Sequence, residues 1–272
     1  MKLELLLVTC CLEQTRYDLL EKVVENLESS LSLIENYNLT VFDNASIIET
    51  TIPLLTTRFN NVYQSDKNVG FWSAISWWLE SLSKDPPSYT YIVESDMLHF
   101  NMHLLNHCVS FLDTHSDVGS VRLHEYSIKD WNLYNKDCPI KDSKKNRWQS
   151  HTNRVTGKKI SWTKTESDLI WETNFLTQLP ALNRYETMND IFENLKKMGS
   201  FTEPDFQSLY HQKFPKISIL DGGIFNCDFS ACGTKVISGS WTDVNKLKDL
   251  GYKTTRIDNI VPKTEYNVVK LT

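Results

Sequence analysis

Short apolar runs alternate with amphipathic stretches over the first 123 residues, and no other feature constrains the fold as strongly. Residues 3–10 form an apolar run suited to a strand covered on both faces. Residues 17–33 follow, with Leu19, Leu20, Val23, Val24, Leu27 and Leu31 at helical spacing. The pattern then predicts a strand over 39–42, a short helix over 47–59 and a strand over 62–64. A helix over 71–82 is stopped by Asp85-Pro86-Pro87. A strand over 89–93, a helix over 103–112 and a strand over 118–123 complete the series. Such alternation implies an α/β fold: right-handed crossovers and a mainly parallel, mixed central sheet flanked by helices.

The second half reads differently. Residues 127–171 are polar and basic and carry Trp131, Trp148, Trp162 and Trp171. Thr156-Gly157 suggests a hairpin between 147–155 and 158–164. A helix is expected over 185–198, and a second runs from Thr202-Glu203-Pro204-Asp205 to His211. A strand over 217–220 precedes Asp221-Gly222-Gly223. With no internal repeat or low-complexity linker, residues 1–272 are expected to form one domain with halves 1–126 and 127–272.

Composition narrows the function classes. An apolar fraction of 40% is ample for a buried core. The net charge is −5, yet residues 136–164 hold nine Lys/Arg against two Asp, a local +7 that leaves −12 elsewhere. The whole molecule is therefore not built to coat nucleic acid, and no nucleic-acid partner is expected. The six cysteines form neither a disulfide framework nor zinc-type pairs, which suits a reducing cytoplasm. The first residues lack a signal-peptide pattern, and no run approaches the roughly 20 apolar residues of a membrane span.

In sheets of this kind ligands sit beyond the carboxyl ends of the strands. Polar clusters fall there: residues 9–11 after strand one, 43–46 after strand two, 94–96 after strand four. In Glu94-Ser95-Asp96 the two carboxylates share a side, and such hard oxygen donors suit Mn2+ or Mg2+. A solvated Ser/Asp capping pair is the alternative. His99 and His103 share a helical face near the triplet, as a third metal ligand or as a surface or hydrogen-bonded neighbour.

In order and spacing, residues 8–14 (VTCCLEQ), 42–46 (FDNAS), 67–79 (KNVGFWSAISWWL) and 91–100 (YIVESDMLHF) resemble the nucleotide-sugar-binding half of glycosyltransferase family 2. Residues 104–121 resemble the family's following helix and strand, and 201–214 (FTEPDFQSLYHQKF) its Glu-x-Asp-Phe segment. The resemblance implies a GT-A fold with a Rossmann-like nucleotide-binding half and an acceptor side in 127–272. It also implies a metal-dependent, inverting transfer of sugar from a nucleotide-sugar to a hydroxyl of a glycan or other acceptor. Carried over by position, Thr9 and Asp43 would contact the nucleoside, and Asn68 and Gly70 would lie near the ribose and diphosphate. Asp96 would hold the metal, Asp205 would be the base, and Glu203 is the second choice. Because the triplet is Glu-Ser-Asp rather than Asp-x-Asp, Glu94 is assigned to the metal or, alternatively, to the ribose or a metal-bound water.

The rivals are a retaining GT-A enzyme, a sugar-phosphate nucleotidyltransferase on a related sheet, and a catalytically silent carbohydrate-binding protein on the same fold. The nucleotidyltransferase is disfavoured, since no Gly-rich, Lys/Arg-bearing phosphate loop follows strand one. The donor, the sugar, the acceptor and the oligomeric state are not encoded in any recognisable motif.

Overall fold

A computed structural model describes residues 2–95, 97–99, 102–127, 157–159, 161–166, 170–174, 181–199, 203–226 and 265–272. The alternation appears as β1 (Leu3–Thr9), α1 (Gln14–Leu31), β2 (Tyr37–Asp43), α2 (Thr51–Arg58), β3 (Val62–Ser65), α3 (Phe71–Ser81) and β4 (Tyr89–Glu94). It continues through β5 (Met97–His99), α4 (Leu104–Thr114) and β6 (Val118–Ser127). The later elements are β7 (Trp162–Lys164), β8 (Ile170–Thr173), β9 (Ala181–Arg184), α5 (Tyr185–Met198), α6 (Glu203–Lys213), β10 (Lys216–Asn226) and β11 (Val268–Lys270).

All eleven strands described join one sheet, in the order β11-β3-β2-β1-β4-β9-β6-β10-β8-β7, with β5 pairing β10 off that path. The ladders β3–β2, β2–β1, β1–β4 and β6–β10 are parallel. β9 runs antiparallel between β4 and β6. From β1 the chain builds outward through β2 and β3, then returns through α3 to add β4 on the other side of β1. That reversal is the switch point at which open α/β sheets leave a crevice.

The residues of β1 explain why helices cover both faces. Leu3, Leu5 and Leu7 pack into a cluster with α1, α2 and α4. Leu6 and Val8, pointing the other way, join a second cluster with α3, α5 and α6. Each fully buried leucine contributes roughly 1.5–3 kcal/mol relative to exposure. Gly199, with φ 64°, ends α5 in the left-handed conformation, its N–H bonding back to the carbonyls of Leu195 and Lys196. Gly119 on β6 makes room for the Phe214 ring beyond α6; a Cβ there would fall 2.6 Å from that ring.

Two expectations are corrected. His99 lies in strand β5, not on a helical face shared with His103, because Met97–His99 pairs antiparallel with Asn226–Ile224 of β10. Trp162–Lys164 pairs antiparallel with β8, Trp162 opposite Thr173, and the other arm of the expected hairpin, residues 147–155, lies outside the described residues. Asp221-Gly222-Gly223 does not terminate its strand: β10 continues to Asn226 through a register shift between Leu220 and Gly223, where glycine tolerates the bulge. Among the described residues no helix is long and apolar enough to cross a membrane.

Candidate active site

Parallel pairing in register sets the site's first row. Thr9, the last residue of β1, stands opposite Asp43, the last of β2, and Asp43 stands opposite Gln64 near the end of β3. Partners in register point to the same face, so these three polar side chains form one row. On the other side of β1, Val8 is level with Glu94, the last residue of β4. Glu94 is half-buried.

Asp43 is fully buried and held by its own chain. Its Oδ2 accepts from the Ser46 N–H at 3.1 Å and from Gln64 Nε2 at 3.2 Å, and its Oδ1 from the Ser46 hydroxyl. Burial raises the carboxyl pKa, and the hydrogen bonds from Ser46 and Gln64 oppose that rise. Three of the carboxylate's roughly four acceptor positions are thus taken by Ser46 and Gln64. Ser46 and Gln64 are both half-buried.

The loops leaving β1 and β2 are tied together. The Asn44 N–H donates to the Thr9 carbonyl at 2.8 Å, the Cys11 N–H to Ser46 Oγ at 2.7 Å, and the Ile47 N–H to the Cys11 carbonyl at 3.0 Å. Thr9 is buried, its Oγ1 lying 3.7 Å from Cys11 Sγ. The thiols of Cys10 and Cys11 are pushed up chiefly by burial. They are free and buried, as is Cys108; Cys138, Cys227 and Cys232 lie outside the described residues.

Asn68 and Gly70 form the turn from β3 into α3. Gly70 has φ 82° and ψ 157°, a conformation that side-chain-bearing residues rarely adopt. Asn68 Oδ1 accepts from the Gly70 N–H at 2.8 Å and from Asn44 Nδ2 at 3.0 Å. Asn44 Oδ1 in turn accepts from the Val69 N–H at 2.8 Å.

The structure thus brings Thr9, Asp43, Asn68, Gly70 and Glu94 to one edge of the sheet. Asp96 lies outside the described residues, as do residues 136–156 of the basic segment. Glu203 and Asp205 fall in the first turn of α6, and Asp205 is half-buried. That helix lies beside α3: the Phe206 ring packs 5.5 Å from Trp72, two residues beyond Gly70, and 6.2 Å from Phe192. Among the described residues no group of three His, Cys, Asp or Glu side chains is placed to hold a metal. Glu94 fits a hard cation such as Mg2+, which takes one or two carboxylates and completes its shell with water and phosphate oxygens.

Sequence reasoning missed Asn44, Ser46 and Gln64. The first two were inside the recognised polar turn, where an Asx-type side chain is a backbone-bonding signal. Gln64 carried no signal beyond its place at the end of a strand.

Two comparisons, with protein-family profiles and with curated proteins, return no match. Solved structures do match. Staphylococcus aureus TarS 1–349 superposes with a TM-score of 0.51 at 15% identity, covering 90% of this chain and 68% of that one. The fold is GT-A-like. Longer S. aureus TarS gives the same TM-score and identity over 92% of this chain, which spans 42% of that protein. TarS 1–349 in complex with UDP-GlcNAc gives a TM-score of 0.49 at 16% identity, over 83% of this chain and 58% of that one. The mixed GT-A-like sheet accounts for the edge described above, since its parallel strands deliver their carboxyl ends to one crevice.

Proposed function

We propose that this chain is a glycosyltransferase that moves a sugar from a nucleotide-sugar to an acceptor hydroxyl, with inversion and with help from Mn2+ or Mg2+. The observation that carries this reading is the convergence of Thr9, Asp43, Asn68, Gly70 and Glu94 on the carboxyl edge beside the β1/β4 switch point. The nucleoside lies against the Thr9–Asp43–Gln64 row. Asp43 fixes Gln64 and Ser46 there, and a carboxylate that only accepts turns the Gln64 amide so that Nε2 faces Asp43. Asn68 and Gly70 lie along the ribose and diphosphate, where the missing Cβ at position 70 permits close approach.

Glu94 and Asp96 hold the cation, with Glu94 alternatively on the ribose or a metal-bound water. When bound, the cation neutralises the charge that grows on the departing diphosphate. The acceptor oxygen forms a bond to the sugar's anomeric carbon as the carbon–oxygen bond to the diphosphate breaks and its electron pair leaves with the nucleoside diphosphate. Asp205, with Glu203 as the second choice, takes the acceptor proton. The base must come within about 3 Å of that oxygen in the productive complex.

The test is hydrolysis of a donor panel, beginning with UDP-GlcNAc, the ligand with which TarS 1–349 was crystallised, and extending to UDP-glucose, UDP-galactose and GDP-mannose. Turnover of one donor that requires Mn2+ or Mg2+ and is abolished in a folded Asp96→Ala variant is expected. A folded wild-type protein that neither hydrolyses nor is thermally stabilised by any donor, with or without metal, contradicts the reading and favours the silent sugar-binding alternative.

A further inference from the structure

We propose that Asn44 is a positioning residue for the donor, acting through Asn68 and Gly70; this rests on the reading that the sheet edge takes a nucleotide-sugar. Asn44 is buried, 3% exposed, and spends both ends of its amide on the turn into α3. The direction of each bond is forced. The Val69 N–H can only donate, so the atom 2.8 Å from it is Asn44 Oδ1. Nδ2 therefore faces Asn68 at 3.0 Å, and the Asn68 atom that receives it is Oδ1, because the Gly70 N–H donates to the same atom at 2.8 Å. Asn68 Nδ2 is left to Cys10 Sγ, 3.3 Å away on the exit from β1. One chain of hydrogen bonds thus runs from the end of β2 through the β3–α3 turn to the end of β1, with a single consistent orientation for both amides.

This chain holds a backbone that has little reason to stay put by itself. Gly70 sits at φ 82°, a region that glycine can leave at small cost, so neighbouring bonds must select it. Asn44 supplies that selection from a strand end that Thr9 already anchors through its carbonyl. Without Asn44 the Val69 N–H and one side of Asn68 lose their partners, and the turn relaxes away from the geometry the donor meets. The loss falls on donor binding, since Asn44 reaches no reacting atom.

The experiment is steady-state hydrolysis of the nucleotide-sugar panel by the wild-type chain, Asn44→Ala and Asn44→Asp, alongside thermal melting. Asn44→Asp keeps the size and the acceptor for Val69 but sets two acceptors against each other at Asn68, so it serves where Asn44→Ala does not fold. A rise in donor KM of about tenfold, with kcat within about threefold, is expected for either variant. Val109→Ala on α4, in the core remote from this edge, matches a simple loss of stability and is expected to leave KM unchanged. An unaltered KM in a folded Asn44 variant of an active enzyme overturns this proposal alone. Absence of turnover and of binding by the wild-type chain overturns it together with the functional reading.

Discussion

At the scale of single residues, His99 is tied into the core through its ring and its backbone. Its Nε2 lies 3.0 Å from the Tyr91 hydroxyl, and the Asn26 amide engages both its N–H and its carbonyl, the latter at 3.0 Å. The ring is fully buried, and desolvation pushes its pKa down to about 4 from 6.5. Folding then favours the neutral ring, so its contribution is fully present above pH 6.5 and is lost as pH falls towards 4. By linkage the loss is about 3 kcal/mol. Asp43 acts in the opposite sense: its raised folded pKa makes the native state hold a proton more tightly, so its contribution grows as pH falls towards 3.8. Unfolding by urea from pH 7 to 4 separates the two. A His99→Gln variant is expected to flatten the acid limb, and an unchanged limb would show that His99 is not the group responsible. Asp43 and Glu94 were legible in the sequence because they follow apolar runs directly. His99 was not: its four-residue spacing from His103 imitates a helical face, and only pairing with Phe225 and its neighbours in β10 makes it a strand.

At the scale of elements, the edge of the sheet beside the site is closed by a distant segment. β11 pairs antiparallel with β3, Val269 opposite Gln64 and Val268 opposite Ser65. Just beyond, the Asn267 N–H and side chain bond both oxygens of Asp66 at 3.1 Å, two residues before Asn68. Removing residues 265–272 bares the backbone groups of β3, and an open strand edge is a template for pairing with another chain. Light scattering after size exclusion is expected to show new dimers and larger species in the truncated protein. A truncated chain identical to the full one in size distribution would contradict that role. Neither β11 nor β9 was legible in the sequence. Each is only three or four residues long, and each owes its existence to partners far away in the chain. Helix α5 was legible to the residue, because its own amphipathic face and Gly199 define both ends locally.

At the scale of the whole molecule, six of the described strands run one way and deliver their carboxyl ends to the same edge, although β10 enters the sheet only after residue 215. The parallel half was readable because each crossover repeats a local pattern of strand, polar end and helix. The other half was not, because antiparallel insertions such as β9 obey the sheet rather than their own sequence. The most direct test is a crystal structure of the protein grown with UDP-GlcNAc and Mn2+. The diphosphate is expected over the ends of β1 and β4, with the cation at Glu94 and Asp96. Nucleotide bound anywhere else, in crystals of a protein that turns the donor over, would contradict it.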